Sequence, residues 1–125
     1  MKIIQTDKAP QAIGPYSQAV EHNGIIYLSG QIAIDPSDNE LKLDADIATQ
    51  TELVLENLKN VLVASGSSLE KVLKVGIFLS DMNDFSEVNR VYSKYFSKTK
   101  PARFCVEVSR LPKNVKVEMD ATAYL

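Results

Sequence analysis

The stretch from Asp46 to Ser65 constrains the fold most strongly, because its apolar residues recur at helical spacing over about five turns. These residues are Ile47, Val54, Leu58, Val61 and Leu62. Asp44 or Asp46 can cap the start, and Gly66 stands where a helix C-terminus favours glycine. A helix with one apolar face buries it against a second layer of structure. The sequence therefore predicts a long helix that packs on other elements.

Strand patterns precede this helix. Residues 17–22 and 24–34 are rich in apolar and β-branched side chains and flank Asn23-Gly24, a strong signal for a tight hairpin turn. Pro10–Pro15 predicts a rigid loop, because two prolines and a glycine deny it a regular ladder. Residues 35–39 predict a turn that leads toward the helix.

Strand and helix patterns also follow it. Residues 73–79 alternate apolar and other side chains with a period of two, as a strand does. A second helix is expected from Asp84, with Glu87 as its capping-box partner, until Pro101 ends it. The last two predicted strands are residues 102–109 and 115–124.

The predicted order, ββαβαββ, describes one α+β domain that spans residues 1–125, with a mixed sheet and two helices on one face. Residues 71–108 are expected to form a right-handed parallel crossover. Two helices cannot cover both faces of five strands. Tyr27, Phe78 and Tyr124 would give the uncovered face apolar content, so we expect a homo-oligomer.

Several classes of protein are excluded by what the chain lacks. Cys105 and His22 are the only Cys and the only His, too few for a disulfide or a structural zinc site. No apolar run approaches the ~20 residues of a membrane span, and residues 1–8 lack a signal-peptide core, so a cytosolic protein is expected. Phosphate-cradle, serine-hydrolase and zinc-protease motifs are absent, which favours binding or chemistry without metal or cofactor.

Charge is distributed unevenly along the chain. The formal net charge is −2, yet residues 90–116 hold eight Lys and Arg residues and only one acidic residue, Glu107. An anionic ligand should be drawn to this stretch. A small carboxylate and a phosphate backbone both fit this charge.

Arg103, Cys105 and Glu118 are the candidate site residues. If the last two strands pair with apolar faces matched, Arg103 and Cys105 share a polar face with Glu118 and Asp120; a simple hairpin puts Cys105 opposite Glu118. The last strand could instead lie beside residues 72–80. Arg103 can hold a carboxylate in a bidentate manner or form a structural ion pair with Glu118 or Asp120, and a half-buried Glu118 could serve as acid or base. Cys105 lacks an evident catalytic partner.

Three separated motifs resemble the Rid (YjgF-like) family of reactive-intermediate deaminases. They are Ala-Ile-Gly-Pro-Tyr-Ser-Gln-Ala at 12–19, Leu-Ser-Gly-Gln at 28–31, and Pro-Ala-Arg-Phe-Cys-Val-Glu-Val-Ser-Arg-Leu-Pro at 101–112, which Val-Glu-Met follows at 117–119. The match runs over nearly the whole chain without large insertions. Phe104 departs from the pattern, because many members carry a smaller residue there, and this affects the expected packing near the site.

The resemblance implies a chorismate-mutase-like homotrimer with a cleft at each subunit interface. Its RidA-type members hydrolyse the enamines and imines that pyridoxal-phosphate dehydratases release, giving 2-oxo acids and ammonia without a cofactor. By resemblance, Arg103 clamps the substrate carboxylate, the backbone of Cys105 contacts the substrate and Glu118 positions water. The residues expected to line the cleft from the adjacent subunit are Tyr16, Ser29 and Gly30, with Asn89 close by.

Two other functions are weighed against this one. An RNA-binding or endoribonuclease role would suit the basic stretch, but the chain is acidic overall and lacks a basic groove studded with aromatic residues. A regulator that binds a small carboxylate without catalysis would need Arg103 but not Glu118. The sequence therefore favours the deaminase.

Overall fold

The computed structural model describes all residues from 1 to 125 and contains eight strands and two α-helices. The strands are β1 (Lys2–Ile4), β2 (Ala19–His22), β3 (Ile25–Gln31), β4 (Ile34–Asp35), β5 (Glu40–Leu41), β6 (Val72–Leu79), β7 (Ala102–Glu107) and β8 (Val117–Tyr124). The helices are α1 (Ile47–Ala64) and α2 (Phe85–Phe96). This is the α+β fold that the pattern of elements predicts.

Six strands form one mixed sheet in the order β1-β2-β3-β8-β6-β7. All neighbours are antiparallel except β6 and β7, which are parallel and joined through α2, as the crossover prediction requires. Strands β4 and β5 form a separate small hairpin. Strand β7 is an edge strand, and its outer edge is unpaired.

The core lies between the sheet and the helices. Alternate residues of the central strands are almost fully buried there, among them Ile26 on β3, Ile77 on β6 and Met119 on β8. They belong to one cluster of 22 buried side chains to which both helices contribute. Burial of apolar surface at roughly 25 cal/mol per Å² makes this layer the main source of stability.

The ends of α1 follow the predicted signals. Asp46 is the N-cap, and its carboxylate accepts a hydrogen bond of 2.8 Å from the Thr49 amide. Gly66 has a φ of +84°, and the Ser67 amide donates to the Leu62 carbonyl at 2.9 Å, which completes a Schellman motif. The choice between Asp44 and Asp46 is therefore settled in favour of Asp46.

The capping box predicted for α2 is wrong. Asp84 occupies the N-cap position but makes no capping hydrogen bond through its side chain. Glu87 accepts a hydrogen bond from Arg90 Nε at 2.7 Å, so it is not available to the helix start. The short 3₁₀ turn before α2 is capped by Asp81, which accepts from the Asn83 amide at 2.9 Å.

Three strands escaped the sequence prediction. Strand β1 has three residues, and β4 and β5 have two each, too few to show a period-two pattern. The predicted strand 24–34 ends at Gln31, and its last residue, Ile34, belongs to the small β4–β5 hairpin. The tight turn at Asn23-Gly24 is present, with φ values of +53° and +81°.

Strand β8 lies between β3 and β6, which excludes the hairpin with β7 and bears out the alternative placement beside residues 72–80. Glu118 pairs with Phe78, which in turn pairs with Val106. Residues that pair across neighbouring strands point to the same face of the sheet. Glu118 therefore lies with Phe78 and Val106 on the face away from the helices. Arg103 pairs with the fully buried Val75, so it lies on the face that the helices cover.

The shared polar face of Arg103, Cys105, Glu118 and Asp120 is therefore a wrong prediction. It assumed that both strands turn their more apolar side to the helices. In β7 the apolar residues Phe104 and Val106 instead lie on the uncovered face, about 40% exposed.

The uncovered face of the sheet is apolar, as predicted. Its large exposed side chains are Tyr27, Phe104, Val106 and Tyr124. Phe104, the departure from the family pattern, packs edge-on against Phe78 with ring centroids 5.4 Å apart. A Cβ on Gly76 would lie 2.7 Å from the Phe104 ring, so glycine leaves the room that this ring occupies. Phe104 is accommodated on the uncovered face, away from the Arg103 side chain.

Candidate active site

Arg103 stands near the start of edge strand β7 and contacts three residues of α2. Its Nη1 donates a hydrogen bond of 2.7 Å to Asn89 Oδ1. Its guanidinium carbon lies 4.8 Å from the ring centre of Tyr92 and 5.8 Å from that of Phe85. One amide and two aromatic rings therefore orient the guanidinium.

No carboxylate lies within ion-pair distance of Arg103. The structural ion pair with Glu118 or Asp120 is thus absent. A guanidinium has five N–H donors, and Asn89 engages one of them. The others border a cavity of about 540 Å³ between α2 and β7, which we call the Arg103 cavity; its walls also include Ser93, Ser97 and Lys100. This cavity is built to attract a small anion.

Glu118 lies in a second cavity, of about 530 Å³, which we call the Glu118 cavity. Ser29 and Gly30 line it at a point where the β3–β8 register shifts between Leu28 and Gln31. Such β-bulges bend a strand and re-aim its side chains, and they are frequent beside active sites. A Cβ on Gly30 would collide with the Glu118 carboxylate, so a larger residue at position 30 would force this carboxylate to move.

The carboxyl group of Glu118 is half-buried. Burial raises its pKa above the ordinary glutamate value, and the nearby negative charge of Asp120 raises it further. No hydrogen bond or ion pair within the chain engages the carboxylate. A carboxylate with a raised pKa in a cavity has the properties of a general base.

Tyr16 and Ser29 border the Glu118 cavity with polar groups. The Ser29 hydroxyl donates to the Ser17 carbonyl at 2.5 Å, and its amide donates to the Gln18 carbonyl at 2.9 Å. The Tyr16 hydroxyl accepts a long hydrogen bond of 3.4 Å from the Ile13 amide, and half of the side chain is exposed. Ser29 is fixed by these contacts, while Tyr16 remains accessible.

Cys105 is partly buried against the core. Burial raises the pKa of its thiol, and the charge of Arg103 opposes this only in part. A thiol with a raised pKa is a poor nucleophile at neutral pH. Because β7 is an edge strand, the backbone beside Cys105 has an open side on which a ligand could bind.

The two cavities divide the predicted site residues in an unexpected way. Arg103 and Asn89 belong to one cavity, whereas Glu118 shares the other with Tyr16, Ser29 and Gly30. The resemblance names Tyr16, Ser29 and Gly30, but not Glu118, as lining the cleft from the adjacent subunit. Within one chain, Arg103 and Glu118 lie on opposite faces of the sheet and their strands are two spacings, roughly 10 Å, apart.

Phe85 and Tyr92 are site residues that the sequence analysis missed. No role was predicted for either aromatic ring, yet both contact the Arg103 guanidinium. The signal was present in the spacing, because residues 85, 89 and 92 follow one face of a helix at i, i+4 and i+7. Gln18 was also missed; it is buried and binds the backbone of Thr6 and Pro10, which holds one wall of the Glu118 cavity.

Part of the positive charge of residues 90–116 is paired with acidic side chains in the folded chain. Arg90 pairs with Glu87, and Lys94 Nζ lies 3.5 Å from Glu52 Oε1. Lys100 borders the Arg103 cavity, and Lys113 borders the Glu118 cavity. Of the eight basic residues in this stretch, two thus have an acidic partner and three border one of the two cavities.

No three His, Cys, Asp or Glu side chains converge in a way that could hold a metal ion. Neither helix has the length and apolarity needed to cross a membrane.

Comparisons with known proteins agree with this geometry. The family model described as Endoribonuclease L-PSP matches residues 6–125. A RutC family protein of Pyrococcus abyssi is 52% identical over 123 residues, which cover 98% of this chain and 96% of the relative. The Escherichia coli protein named "Putative reactive intermediate deaminase TdcF" is 45% identical, covering 98% of this chain and 95% of its own.

A crystal structure of E. coli TdcF with bound serine superposes with a TM-score of 0.93 at 43% identity and covers 100% of this chain and 99% of TdcF. The α+β fold of this chain is thus shared with solved relatives. The chain belongs to the L-PSP/RutC family, which is also called the Rid or YjgF family.

Proposed function

We propose that this protein is a cytoplasmic deaminase that hydrolyses reactive 2-imino acids and their enamine tautomers to 2-oxo acids and ammonia. Its substrates are 2-iminopropanoate and 2-iminobutanoate, the products that pyridoxal-phosphate-dependent dehydratases release from serine and threonine. The site is a cleft between subunits of a homotrimer. The protein requires neither a metal nor a cofactor for this reaction.

One observation carries the proposal. Arg103 is oriented by Asn89 and two aromatic rings, yet it has no acidic partner in the chain. An arginine held in this way can bind a ligand carboxylate through two parallel hydrogen bonds. A 2-imino acid is a small carboxylate with an electrophilic carbon one bond away. Binding by Arg103 therefore fixes the position of the reacting carbon as well.

Glu118 supplies the second requirement, a group that accepts a proton from water. The protonated imine carries a C=N bond that water attacks at carbon 2, and Glu118 takes the proton that this water loses. The resulting carbinolamine expels ammonia after its nitrogen is protonated, and the C2–O bond becomes the carbonyl of the 2-oxo acid. Glu118 returns the proton of water to the leaving nitrogen, and the hydroxyl proton is lost as the carbonyl forms, so orientation and a single proton-transfer group suffice for a substrate that is already reactive.

A second subunit is needed to bring these groups together. Within one chain, Arg103 and Glu118 face opposite sides of the sheet. The apolar uncovered face offers a surface for association, and a cyclic trimer would bring the β7 edge of one subunit to the Glu118 cavity of the next. In this arrangement Tyr16, Ser29, Gly30 and Glu118 act together against the neighbour's Arg103.

The relatives support the same class of ligand. One carries the name of a reactive intermediate deaminase, and its structure holds serine, a small molecule with a carboxylate. The family description names an endoribonuclease. We favour the deaminase because Lys100 and Arg103 border one cavity and Lys113 borders the other, while Arg90 and Lys94 of the basic stretch have acidic partners. A regulator that only binds carboxylates would leave the Glu118 cavity unexplained.

The test measures 2-oxobutanoate release when the protein is added to threonine dehydratase and threonine. We expect Glu118→Gln to lower turnover by roughly 10²–10⁴-fold while 2-oxobutanoate binding persists, because glutamine keeps the shape but cannot accept the proton. Arg103→Lys should instead weaken binding, with a loss of about 1.5–3 kcal/mol, since lysine cannot form the bidentate contact.

Asp120→Asn is the matched control for Glu118→Gln. It removes one negative charge from the same strand and the same face, and asparagine can still accept the Gly76 amide, which lies 3.1 Å from Asp120 Oδ1. Its turnover at neutral pH should stay near that of the parent protein.

If Glu118→Gln hydrolyses the imine at the parent rate, the carboxylate is structural and the proposed mechanism is wrong. Affinity for RNA that falls steeply with salt, without imine turnover, would favour the nuclease.

A further inference from the structure

Arg103 has a long side chain at the end of an edge strand, so its orientation needs an explanation. A free arginine side chain loses considerable rotamer freedom when a ligand fixes it, and that loss weakens binding. No acidic residue holds Arg103, and Asn89 contacts only one of its nitrogens. A single hydrogen bond leaves the plane of the guanidinium free to rotate. A second contact must therefore set that plane.

Tyr92 provides this contact. Its ring centre lies 4.8 Å from the guanidinium carbon of Arg103, nearer than the ring of Phe85 at 5.8 Å. A guanidinium placed over an aromatic face makes a favourable cation–π contact. The ring of Tyr92 is itself immobile, because the side chain is 6% exposed and packs against Phe96 with ring centroids 4.8 Å apart.

The hydroxyl group of Tyr92 separates two possible roles for this residue. It is buried and has no hydrogen-bond partner, so it neither anchors the ring nor reaches a ligand in solvent. Packing alone would be served by phenylalanine, which lacks an unpaired polar atom. The Arg103 guanidinium lies over the face of the ring, and the hydroxyl, although near enough for the charge of Arg103 to act on it, forms no hydrogen bond of good geometry with it.

We propose that Tyr92 is a positioning residue, whose buried ring fixes the plane of the Arg103 guanidinium so that its free N–H groups point together into the Arg103 cavity. The inference rests on the proposed function, because it explains how Arg103 binds a ligand carboxylate. It assigns the role to the ring face. The matching i, i+4, i+7 spacing of Phe85, Asn89 and Tyr92 makes one face of α2 the support for Arg103.

The first experiment compares Tyr92→Leu with Tyr92→Phe by calorimetry with 2-oxobutanoate and by imine kinetics. Tyr92→Leu should raise Kd and KM by about 3- to 30-fold, the range expected for loss of one cation–π contact, with little change in kcat. Tyr92→Phe should bind like the parent. Equal losses in both variants would transfer the role to the hydroxyl and overturn the proposal.

Tyr95→Leu is the matched control. It makes the same change one turn away on α2, where the Tyr95 hydroxyl donates to Glu56 Oε2 at 2.9 Å and the side chain borders neither cavity. It should lower stability but leave Kd unchanged. In an Arg103→Ala background, Tyr92→Leu should cause no further loss of binding, because the two residues then act through one contact. An additive loss would show a general structural role and overturn the proposal.

A third measurement does not depend on the ligand. The Nε–Hε signal of Arg103 in an NMR spectrum, assigned by its absence in Arg103→Lys, should carry a ring-current shift that Tyr92→Leu removes and Tyr92→Phe keeps. If the parent protein neither binds 2-oxobutanoate nor hydrolyses imines, the proposed function fails while this signal still decides the role of Tyr92. A signal that is the same in all three proteins would overturn the positioning role.

Discussion

At the scale of single residues, Arg103 and Glu118 differ in how their surroundings prepare them. Arg103 is held by neutral groups, an amide and two rings, so its charge is not neutralised before a ligand arrives. Glu118 is held in a half-buried position beside another acid, so its carboxylate is more basic than an exposed one. Groups whose environments adjust their affinity for anions and protons in this way are typical of active sites.

The activity should depend on pH through Glu118. If its carboxylate accepts the proton of water, kcat falls as pH drops through the raised pKa of Glu118, at a higher pH than an ordinary glutamate would give. Asp120→Asn removes one cause of the rise, so the acidic limb of the kcat profile should move to lower pH. A profile that does not move would contradict the coupling between these two carboxyl groups.

The same raised pKa has a consequence for stability. The folded chain holds the proton of Glu118 more tightly than the unfolded chain does. Protonation of Glu118 therefore stabilises the fold, and this contribution to the free energy of unfolding is fully present below the pKa that Glu118 has in the unfolded chain. It is lost as pH rises through the folded pKa. The Tm of Glu118→Gln should therefore rise relative to that of the parent as pH increases from the unfolded-chain pKa to the folded-chain pKa of Glu118. Thermal unfolding at a series of pH values measures this difference in Tm.

Cys105 should tolerate serine. Its thiol has a raised pKa and no base beside it, and the proposed contact with substrate uses the backbone. We expect Cys105→Ser to lose less than about threefold in kcat/KM, consistent with a small change at a position without a catalytic side chain. Loss of a nucleophile would instead cost orders of magnitude. Such a loss in a folded variant, measured in the coupled imine assay, would restore the nucleophilic role of Cys105.

At the scale of secondary-structure elements, local patterns in the sequence were sufficient to predict helices and turns. They were not sufficient to predict which strands pair. Helix α1 and the Asn23-Gly24 hairpin were predicted because their periodicity, caps and turn residues are close together in the chain. The position of β8 between β3 and β6 depends on strand pairing that no local pattern records. Arg103 and Glu118 were therefore found as residues, but their separation into two cavities was not.

Apolar residues on both faces of the sheet caused the error in face assignment. Parity arguments work when one face of a strand is clearly the buried one. In β7, Phe104 and Val106 look like core residues, yet they are about 40% exposed on the uncovered face, while Cys105 packs toward the core. An uncovered face that has the composition of a core leaves no signal in the sequence for which side faces the helices.

The N-cap of α1 allows an element-scale prediction. Asp46→Ala should lower the free energy of unfolding by about 1 kcal/mol, because it removes the 2.8 Å hydrogen bond to the Thr49 amide at the helix start. Asp44→Ala is the matched control, since Asp44 is two residues away and makes no capping bond. Urea unfolding of both at one protein concentration measures the difference. Equal losses would show that general charge, not the cap, stabilises α1.

At the scale of the whole molecule, one chain carries two complementary cavities that cannot serve the same small ligand. Arg103 presents a positive charge without an acidic partner on one side of the sheet, and Glu118 is a candidate base on the other. Between them, the uncovered face holds Tyr27, Phe104 and Tyr124 exposed to solvent. Closed symmetric assembly would resolve both features, because it buries the apolar face and repeats the same heterologous contact at every interface.

A complementation experiment tests this arrangement directly. Arg103→Ala and Glu118→Gln each lack one member of the pair, so each variant alone should have very low imine turnover. The two are mixed in equal amounts in denaturant and refolded together, so that subunits combine at random. Refolding each variant alone and mixing afterwards is the control, because it allows no exchange at the moment of assembly.

Mixed trimers should recover activity that neither variant has. Going around a cyclic trimer, a cleft is intact only where a Glu118→Gln subunit supplies Arg103 and an Arg103→Ala subunit supplies Glu118. Every mixed trimer contains one such place among three, and three quarters of randomly formed trimers are mixed, so co-refolding should restore about one quarter of parent activity. The separately refolded control should stay at the level of the single variants. If co-refolded protein that sediments as a trimer shows no recovery, Arg103 and Glu118 do not meet across an interface, and the shared cleft is refuted.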